Sequence, residues 1–369
     1  MMRKVLCFHP ALAPYRVDFF NALSERSDFH LILFNDNLLN QKFDQGGLRS
    51  QLRCRVTYLL RGIQWRGRYL RLGVARQVFK DAPDVIIGCE YSPVTCYLIL
   101  LRLVFRLRCQ LFTTTDDNVE LFEKCHGLRK VFRWFVLRHV DGVVVTTLLV
   151  EPMARKIARS RGLKVVDVPI IGEERRIRCG EDAVFAQAAD WRTSNLQAEE
   201  RAVFFVGRLA PVKNLCWLLS RTADSRWPQN AKLFVVGNGE QEAQLKAQCE
   251  ELGLEERVVF CGRKEGSGLR FLFAAADMLI LPSVSETFGA VVAECLQWGG
   301  KVLVSSHVGA KILVEPGWNG DVFDGSDESE FHTKLACLLR ECGSWRGSRP
   351  SLLKVTLGEK VDRLVEAFG

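Results

Sequence analysis

The 369-residue sequence contains no apolar run of the roughly 18 residues that a membrane span requires. The best candidate, Val94 to Phe105, is short and holds Arg102. No signal peptide is visible, because after Arg3 and Lys4 the apolar stretch breaks at His9 and Pro10. A secreted or spanning protein is therefore not expected, and the expected location is cytoplasmic. There is no Cys-x-x-Cys pair and no Cys/His cluster with metal spacing. The thirteen cysteines are scattered and odd in number. They read as reduced, mostly buried thiols rather than a disulfide framework or a metal centre. No low-complexity tract and no repeat of roughly 20–50 residues occurs, so the two halves share an architecture rather than a sequence period. With 48% apolar and 25% charged residues, the composition excludes disorder and predicts about two globular domains.

Negative charge is also missing in one place. From Gln45 to Lys80 there is no Asp or Glu, while the window holds Arg49, Arg53, Arg55, Arg61, Arg66, Arg68, Arg71, Arg76 and Lys80. The net charge of +8 is uneven. Residues 1–170 carry 27 Lys and Arg against 15 Asp and Glu, whereas residues 201–369 carry 20 against 21. One reading of the basic window is a solvated face. The other is a surface for anionic lipid or an anionic substrate. Nucleic acid would suit the charge, but no helix-turn-helix, zinc-finger or stacking-platform signature accompanies it, so no nucleic acid partner is expected.

What is present is an alternation of short apolar runs with amphipathic segments. Lys4–His9, His30–Asn35, Asp84–Gly88, Cys109–Thr115, Asp141–Thr146 and Lys164–Val168 read as buried strands. Arg16–Ser27 and Leu128–His139 read as helices between them. A second series follows: Ala202–Val206, Lys232–Val236, Val258–Cys261, Met278–Leu281 and Val302–Ser305 as strands. Gln241–Leu252, Gly268–Ala275 and Ala290–Trp298 read as the helices of that series. The fold class is thus α/β, with two Rossmann-like domains facing across a cleft. The first domain is expected over residues 1–170, the linker and boundary loops over 171–200 and the second domain over 201–345, with 346–369 closing the chain in an amphipathic segment. In open α/β sheets ligands bind beyond the carboxyl ends of strands, so the strand-end loops are where a site is expected.

Three such loops carry chemistry. In Val206-Gly207-Arg208-Leu209-Ala210-Pro211-Val212-Lys213-Asn214, a strand ends at Gly207 and two cations follow. Arg208 can fork two phosphate oxygens and Lys213 supplies a point charge, which suits a diphosphate; two surface cations near a helix start is the plainer reading. In Val235-Val236-Gly237-Asn238-Gly239-Glu240, a strand meets a glycine turn, as half of a dinucleotide fingerprint whose third glycine position is Glu242. The third loop, Pro282 to Glu294, places Glu286 just before a helix and Glu294 on its second turn. Free N–H groups around Phe288 to Ala290 would favour phosphate or sugar oxygens. Two carboxylates there suit a sugar diol, since each accepts two O–H bonds; an N-cap glutamate beside an unrelated one is the alternative.

The order Gly-Arg-Leu-x3-Lys-Asn, Val-Gly-x-Gly, Phe-x-Gly, Ala-Asp-Met-x3-Pro-Ser and Glu-x7-Glu resembles the GT-B-fold retaining glycosyltransferases of the family 4 type (glycosyl transferases group 1). The resemblance is strong over 202–325, where His307-Val308-Gly309-Ala310 and Asn319-Gly320 continue it. It is weak at Ala13-Pro14-Tyr15-Arg16. It implies a retaining transferase with a nucleoside diphosphate sugar, UDP- or GDP-linked, as co-substrate and no cofactor; 1–170 would be the acceptor-side domain, 201–345 the donor domain and 346–369 a helix crossing back to the first domain. The resemblance assigns Arg208 and Lys213 to the diphosphate, Glu294 to the ribose hydroxyls and Glu286 to the donor sugar. The backbone of Phe288 and Gly289 would approach sugar and phosphates, with Gly207, Gly237, Gly239, Gly262 and Arg263 also on the donor side. It further implies front-face displacement assisted by the leaving phosphate, with Arg and Lys doing the charge work and no metal.

The sequence departs from that pattern where many members place a histidine. Here Thr113-Thr114-Thr115-Asp116-Asp117-Asn118 occurs. Asp116 or Asp117 could take a polar or base-like role towards acceptor or donor; a helix N-cap with a neighbouring acid is the other reading. Arg16, Glu90 and Asp117 are candidate acceptor contacts. His9, in the strand-end region, reads as structural or as a cleft residue, and Arg133-Trp134-Phe135 as core or as a membrane-interface segment. The expected activity is transfer of a sugar to a glycan or lipid-linked glycan in cell-surface polysaccharide synthesis, with a peripheral contact to an anionic membrane. The rivals are a non-catalytic nucleotide-sugar-binding partner subunit and a nucleotide-sugar epimerase.

Overall fold

A computed structural model describes residues 2–37, 43–65, 68–159 and 162–369. Arg66 of the basic window lies outside the described residues. The chain divides into two compact units, Met1–Glu173 with Thr356–Gly369, and Glu174–Val355.

The first unit is built on seven parallel strands. They are β1 (Lys4–His9), β2 (Asp28–Leu33), β3 (Arg55–Tyr58), β6 (Val85–Cys89), β7 (Gln110–Thr115), β8 (Gly142–Val145) and β9 (Lys164–Asp167). A two-stranded hairpin, β4 (Gly62–Trp65) and β5 (Arg68–Arg71), stands apart from the sheet. The order β3-β2-β1-β6-β7-β8-β9 reverses direction between β1 and β6. The second unit has β10 (Arg201–Val206), β11 (Ala231–Val236), β12 (Val258–Gly262), β13 (Met278–Leu281), β14 (Lys301–Ser305) and β15 (Gly320–Phe323). Its order, β12-β11-β10-β13-β14-β15, reverses between β10 and β13. Each reversal opens a crevice at the carboxyl ends of two adjacent strands, because the following loops run to opposite sides.

The strands form because Val, Ile, Leu and Phe runs such as Ala202–Val206 and Met278–Leu281 are buried along their whole length, as a sheet covered on both faces requires. The helices have local starts. Ser92 Oγ accepts from Thr95 N at 3.3 Å and Pro93 fills the first turn of Pro93–Phe105. Thr356 and Glu359 make a capping box for Leu357–Ala367. That last helix packs on Pro14–Arg26, where Arg26 Nε meets Asp362 at 2.5 Å.

Three segments differ from the sequence reading. β3 and the hairpin lie in the acid-free window, where arginine in every few positions hides the strand pattern. β15 is only four residues long and contains Asp321. Much of the expected linker is helical: Glu174–Ile177 and Glu181–Asn195 belong to the second unit. The longer helix packs on Ser267–Ala275, with Phe185 and Ala188 buried. Its Arg192 donates to Asp277 at 2.8 Å and to the Ala275 carbonyl at 2.7 Å.

Candidate active site

In the second unit, the loops after β10, β11, β13 and β14 are joined backbone to backbone. Leu209 N donates to Asn238 O at 2.9 Å, Gly237 N to Gly262 O at 2.9 Å, and Val284 N to Val212 O at 2.9 Å. The approach is close enough to dictate glycine. A Cβ on Gly237, whose φ is +146°, would stand 1.8 Å from Gly207 O. One on Gly239 would stand 2.3 Å from Leu209 O. The half-fingerprint glycines therefore bring the β10 and β11 loops together.

The loop 282–289 is held in the same way by the segment after β14. Gly309 N donates to Glu286 O at 3.1 Å and Ala310 N to Phe288 O at 2.7 Å. A Cβ on Gly309 would lie 2.1 Å from Thr287 O. The His307-Val308-Gly309-Ala310 motif thus supports the Glu286 loop, a role the sequence reading did not assign. The Phe288 side chain is buried in the core. The N-cap of Ala290–Gln297 is Gly289 at φ +92°, and no side chain caps it. Glu286 is not that cap.

Glu286 instead forms an ion pair with Lys213, and both side chains are largely buried. Arg208 is exposed and, among the described residues, makes no ion pair. Glu294 is half-buried, and among the described residues no group pairs with its carboxylate. Desolvation by burial pushes this carboxyl up to about 7, against the opposing effect of Arg176. A carboxylate so placed is poorly solvated and lacks hydrogen-bond donors. Gly262 takes φ +65° with open space around its would-be side chain. Arg263 is exposed and pairs with Glu265, next to it on the surface.

In the first unit, the crevice between β1 and β6 collects a second group. Arg16 is buried and pairs with Asp116. Burial opposes the Arg16 charge, but Asp116 outweighs it and the pKa is raised. Glu90 follows β6 with φ +47°, and no described residue pairs with its side chain. Although it keeps solvent contact, desolvation pushes its carboxyl up to about 7, helped by the nearby Asp116 and Asp117. His9 Nδ1 lies 2.9 Å from Ala11 O, and burial with the Arg16 charge lowers its pKa to about 4.

Asp117 lies in a different setting from Asp116. It is 3% exposed and meets Arg129 and Arg133, each at 2.6 Å. Arg133 is itself 2% exposed, with its guanidinium 4.0 Å from the Phe122 ring centroid. Asp117 is a buried counter-ion to both arginines. The helix cap in this loop is Asn118, whose Oδ1 accepts from Leu121 N at 2.8 Å. Among the described residues, no group of three or more His, Cys, Asp or Glu is placed to hold a metal ion.

Residues 187–343 match the family model described as glycosyl transferases group 1. An uncharacterized glycosyltransferase of Methanocaldococcus jannaschii is 35% identical over 129 residues, 35% of this chain and 33% of that protein. A D-inositol 3-phosphate glycosyltransferase of Mycobacterium tuberculosis is 29% identical over 229 residues, 60% of this chain and 45% of that protein. The chain thus spans less than half the length of these relatives. The crystal structure of Anabaena HepE in complex with UDP superposes with a TM-score of 0.69 at 19% identity, covering 98% of this chain and 94% of that one. The fold is GT-B. The GT-B scaffold accounts for the two parallel sheets and for the placement of charged loops at their carboxyl ends. The stretch matched by the family model, 187–343, holds Arg208, Lys213, Glu286 and Glu294, whereas Arg16, Glu90 and Asp116 lie outside it.

Proposed function

We propose that this chain is a retaining glycosyltransferase that moves a sugar from a nucleoside diphosphate sugar to a glycan or lipid-linked glycan. Cell-surface polysaccharide synthesis is the setting proposed for it, with an anionic membrane surface as partner. The observation that carries the reading is the Glu294 carboxylate, which has no ion-pair partner among the described residues, on the helix that begins beside the Lys213–Glu286 pair. A ribose diol supplies two O–H donors to such a carboxylate. The family match over the same stretch supports a nucleotide-sugar donor, and the UDP bound by HepE supports uridine as its base.

In this reading Arg208 and Lys213 hold the diphosphate. The bond between the anomeric carbon and the phosphate oxygen breaks, and charge grows on the departing diphosphate. Fixed cations there stabilise the transition state more than the ground state. Glu286 orients Lys213 before donor arrives and then meets sugar hydroxyls. The acceptor oxygen attacks the same face, and its proton passes to the leaving phosphate. Gly237, Gly239, Gly262 and Arg263 border the base, and the Phe288–Gly289 backbone approaches the phosphates. Asp116, held by Arg16, and Glu90 are proposed to contact the acceptor.

Donor hydrolysis without acceptor tests this. Slow release of free sugar and UDP by the wild type, abolished in Glu286→Ala, fits a transferase. Tight nucleotide binding with no turnover would instead fit a non-catalytic partner subunit.

A further inference from the structure

Nineteen large apolar side chains are strongly exposed among the described residues, and fourteen of them fall between Leu60 and Leu149. Only three lie in the second unit. A soluble surface scatters such residues, so this concentration needs a cause.

Eight of the fourteen sit on three neighbouring helices. On Pro93–Phe105, Leu100, Leu103 and Val104 recur at helical spacing on the outer side, and Val104 is 71% exposed. On Gly127–His139, Leu128, Val131 and Trp134 do the same, and Val131 is 59% exposed. The two helices pack on each other, and Val74–Asp81 packs on the first of them. Phe79 and Phe105 join these last two across the surface, with ring centroids 5.0 Å apart. The opposite faces are satisfied: Leu98, Ile99, Val136 and Leu137 are in the core.

Charge on these helices is of one sign. Pro93–Phe105 and Gly127–His139 contain no acidic residue, and Asp81 of the third helix is buried against His30 at 2.6 Å. Arg76, Arg106, Arg108 and Lys130 are exposed, and among the described residues none has an ion-pair partner. Arg138 sits over the Trp134 ring at 4.1 Å, an amphipathic pairing suited to a water–lipid boundary. A protein partner of ordinary composition would not require that the exposed charges on all three helices be cations. An anionic bilayer presents apolar depth and negative headgroups together.

We infer that the outer face of these three helices docks the first unit on an anionic phospholipid bilayer, with Leu103, Val104, Phe105, Val131 and Trp134 entering the headgroup–acyl boundary. The aromatic-basic segment Arg133-Trp134-Phe135 divides accordingly: Arg133 is core and Trp134 is interface. The inference deepens the membrane part of the proposal above and rests on that part alone, not on the nucleotide site.

Flotation with phosphatidylcholine vesicles, with and without phosphatidylglycerol, tests it. The wild type should float only with phosphatidylglycerol and should be released by salt, because headgroup attraction falls off within a Debye length. Val104→Asp/Val131→Asp should lower partitioning roughly tenfold or more. Arg106→Ala and Arg108→Ala should each lower it roughly fivefold. All variants should keep wild-type circular dichroism and UDP titration, since these side chains are exposed. Failure of the folded wild type to float at low salt overturns the inference. So does a wild-type dimer that the double aspartate variant dissociates, with no flotation, because the face would then pair with a second copy. Flotation without any nucleotide binding supports the membrane face while refuting the nucleotide reading.

Discussion

Lys213 and Glu286, 73 residues apart, form an ion pair that ties the loop after β10 to the loop after β13. It spans the point where the strand order of the second sheet reverses. Both groups are largely screened from solvent, so each strongly constrains the other. A bound diphosphate would compete with Glu286 for the same ammonium. Lys213→Ala should therefore lower turnover at saturating donor by about 10²-fold, as for loss of one transition-state charge contact. Lys213→Arg should recover part of it. Steady-state kinetics with the split between kcat and KM checks this, and an effect confined to KM would contradict it.

The pH response of nucleotide binding should follow Glu294. With its carboxyl pushed up to about 7, the donor-free protein carries it largely neutral at pH 6 and ionised at pH 8. The ionised form accepts two hydroxyl donors, so affinity should rise with pH across that interval. Glu294→Gln should flatten the profile. Stability has the opposite sign. The folded pKa is above the unfolded one, so the folded state holds the proton more tightly, and this contribution is complete below the unfolded pKa near 4.5. It is lost as pH rises through about 7. Urea unfolding of the donor-free wild type should weaken across that window relative to Glu294→Gln.

Two glycine substitutions should separate close approach from backbone strain. Gly237→Ala puts a methyl 1.8 Å from Gly207 O and must displace two loops. It should remove nucleotide binding. Gly262→Ala meets no atom within 4 Å and bears only its positive φ. That costs about 1–2 kcal/mol and should leave binding within a few-fold of wild type. Calorimetry and thermal unfolding of both variants would show the difference.

Asp117→Asn should destabilise the first unit by about 3–5 kcal/mol, because it leaves the buried Arg133 guanidinium uncompensated. The cost would be read as a lower urea midpoint. A loss of transfer activity in a protein of unchanged stability would instead return Asp117 to the acceptor site.

These cases mark what could be read from the chain. Buried parallel strands such as Ala202–Val206 are legible because every residue is apolar. β3 is not, because Arg55 and Tyr58 flank only two residues between them. The helix Glu181–Asn195 hides in a polar stretch because its contact with the second unit uses few apolar side chains and a long-range pairing of Arg192 with Asp277. The strand-end cations and carboxylates were visible as types, but their pairing was not. Lys213 with Glu286 depends on the strand order. Asp117 had a local signal: Arg129 and Arg133 follow at helical spacing and reach one carboxylate from one helix face. The glycines of Val-Gly-x-Gly read as ligand contacts, whereas the structure gives them a prior duty in joining two loops.

The most direct test of the central claim is calorimetric titration with UDP, GDP, ADP and CMP, on the wild type and on Glu294→Ala. The account predicts selective binding of one nucleoside diphosphate, with UDP the expected one, weakened in the variant while its fold is retained. No binding of any nucleotide to the folded wild type, or equal binding by the variant, would contradict the assignment of this site.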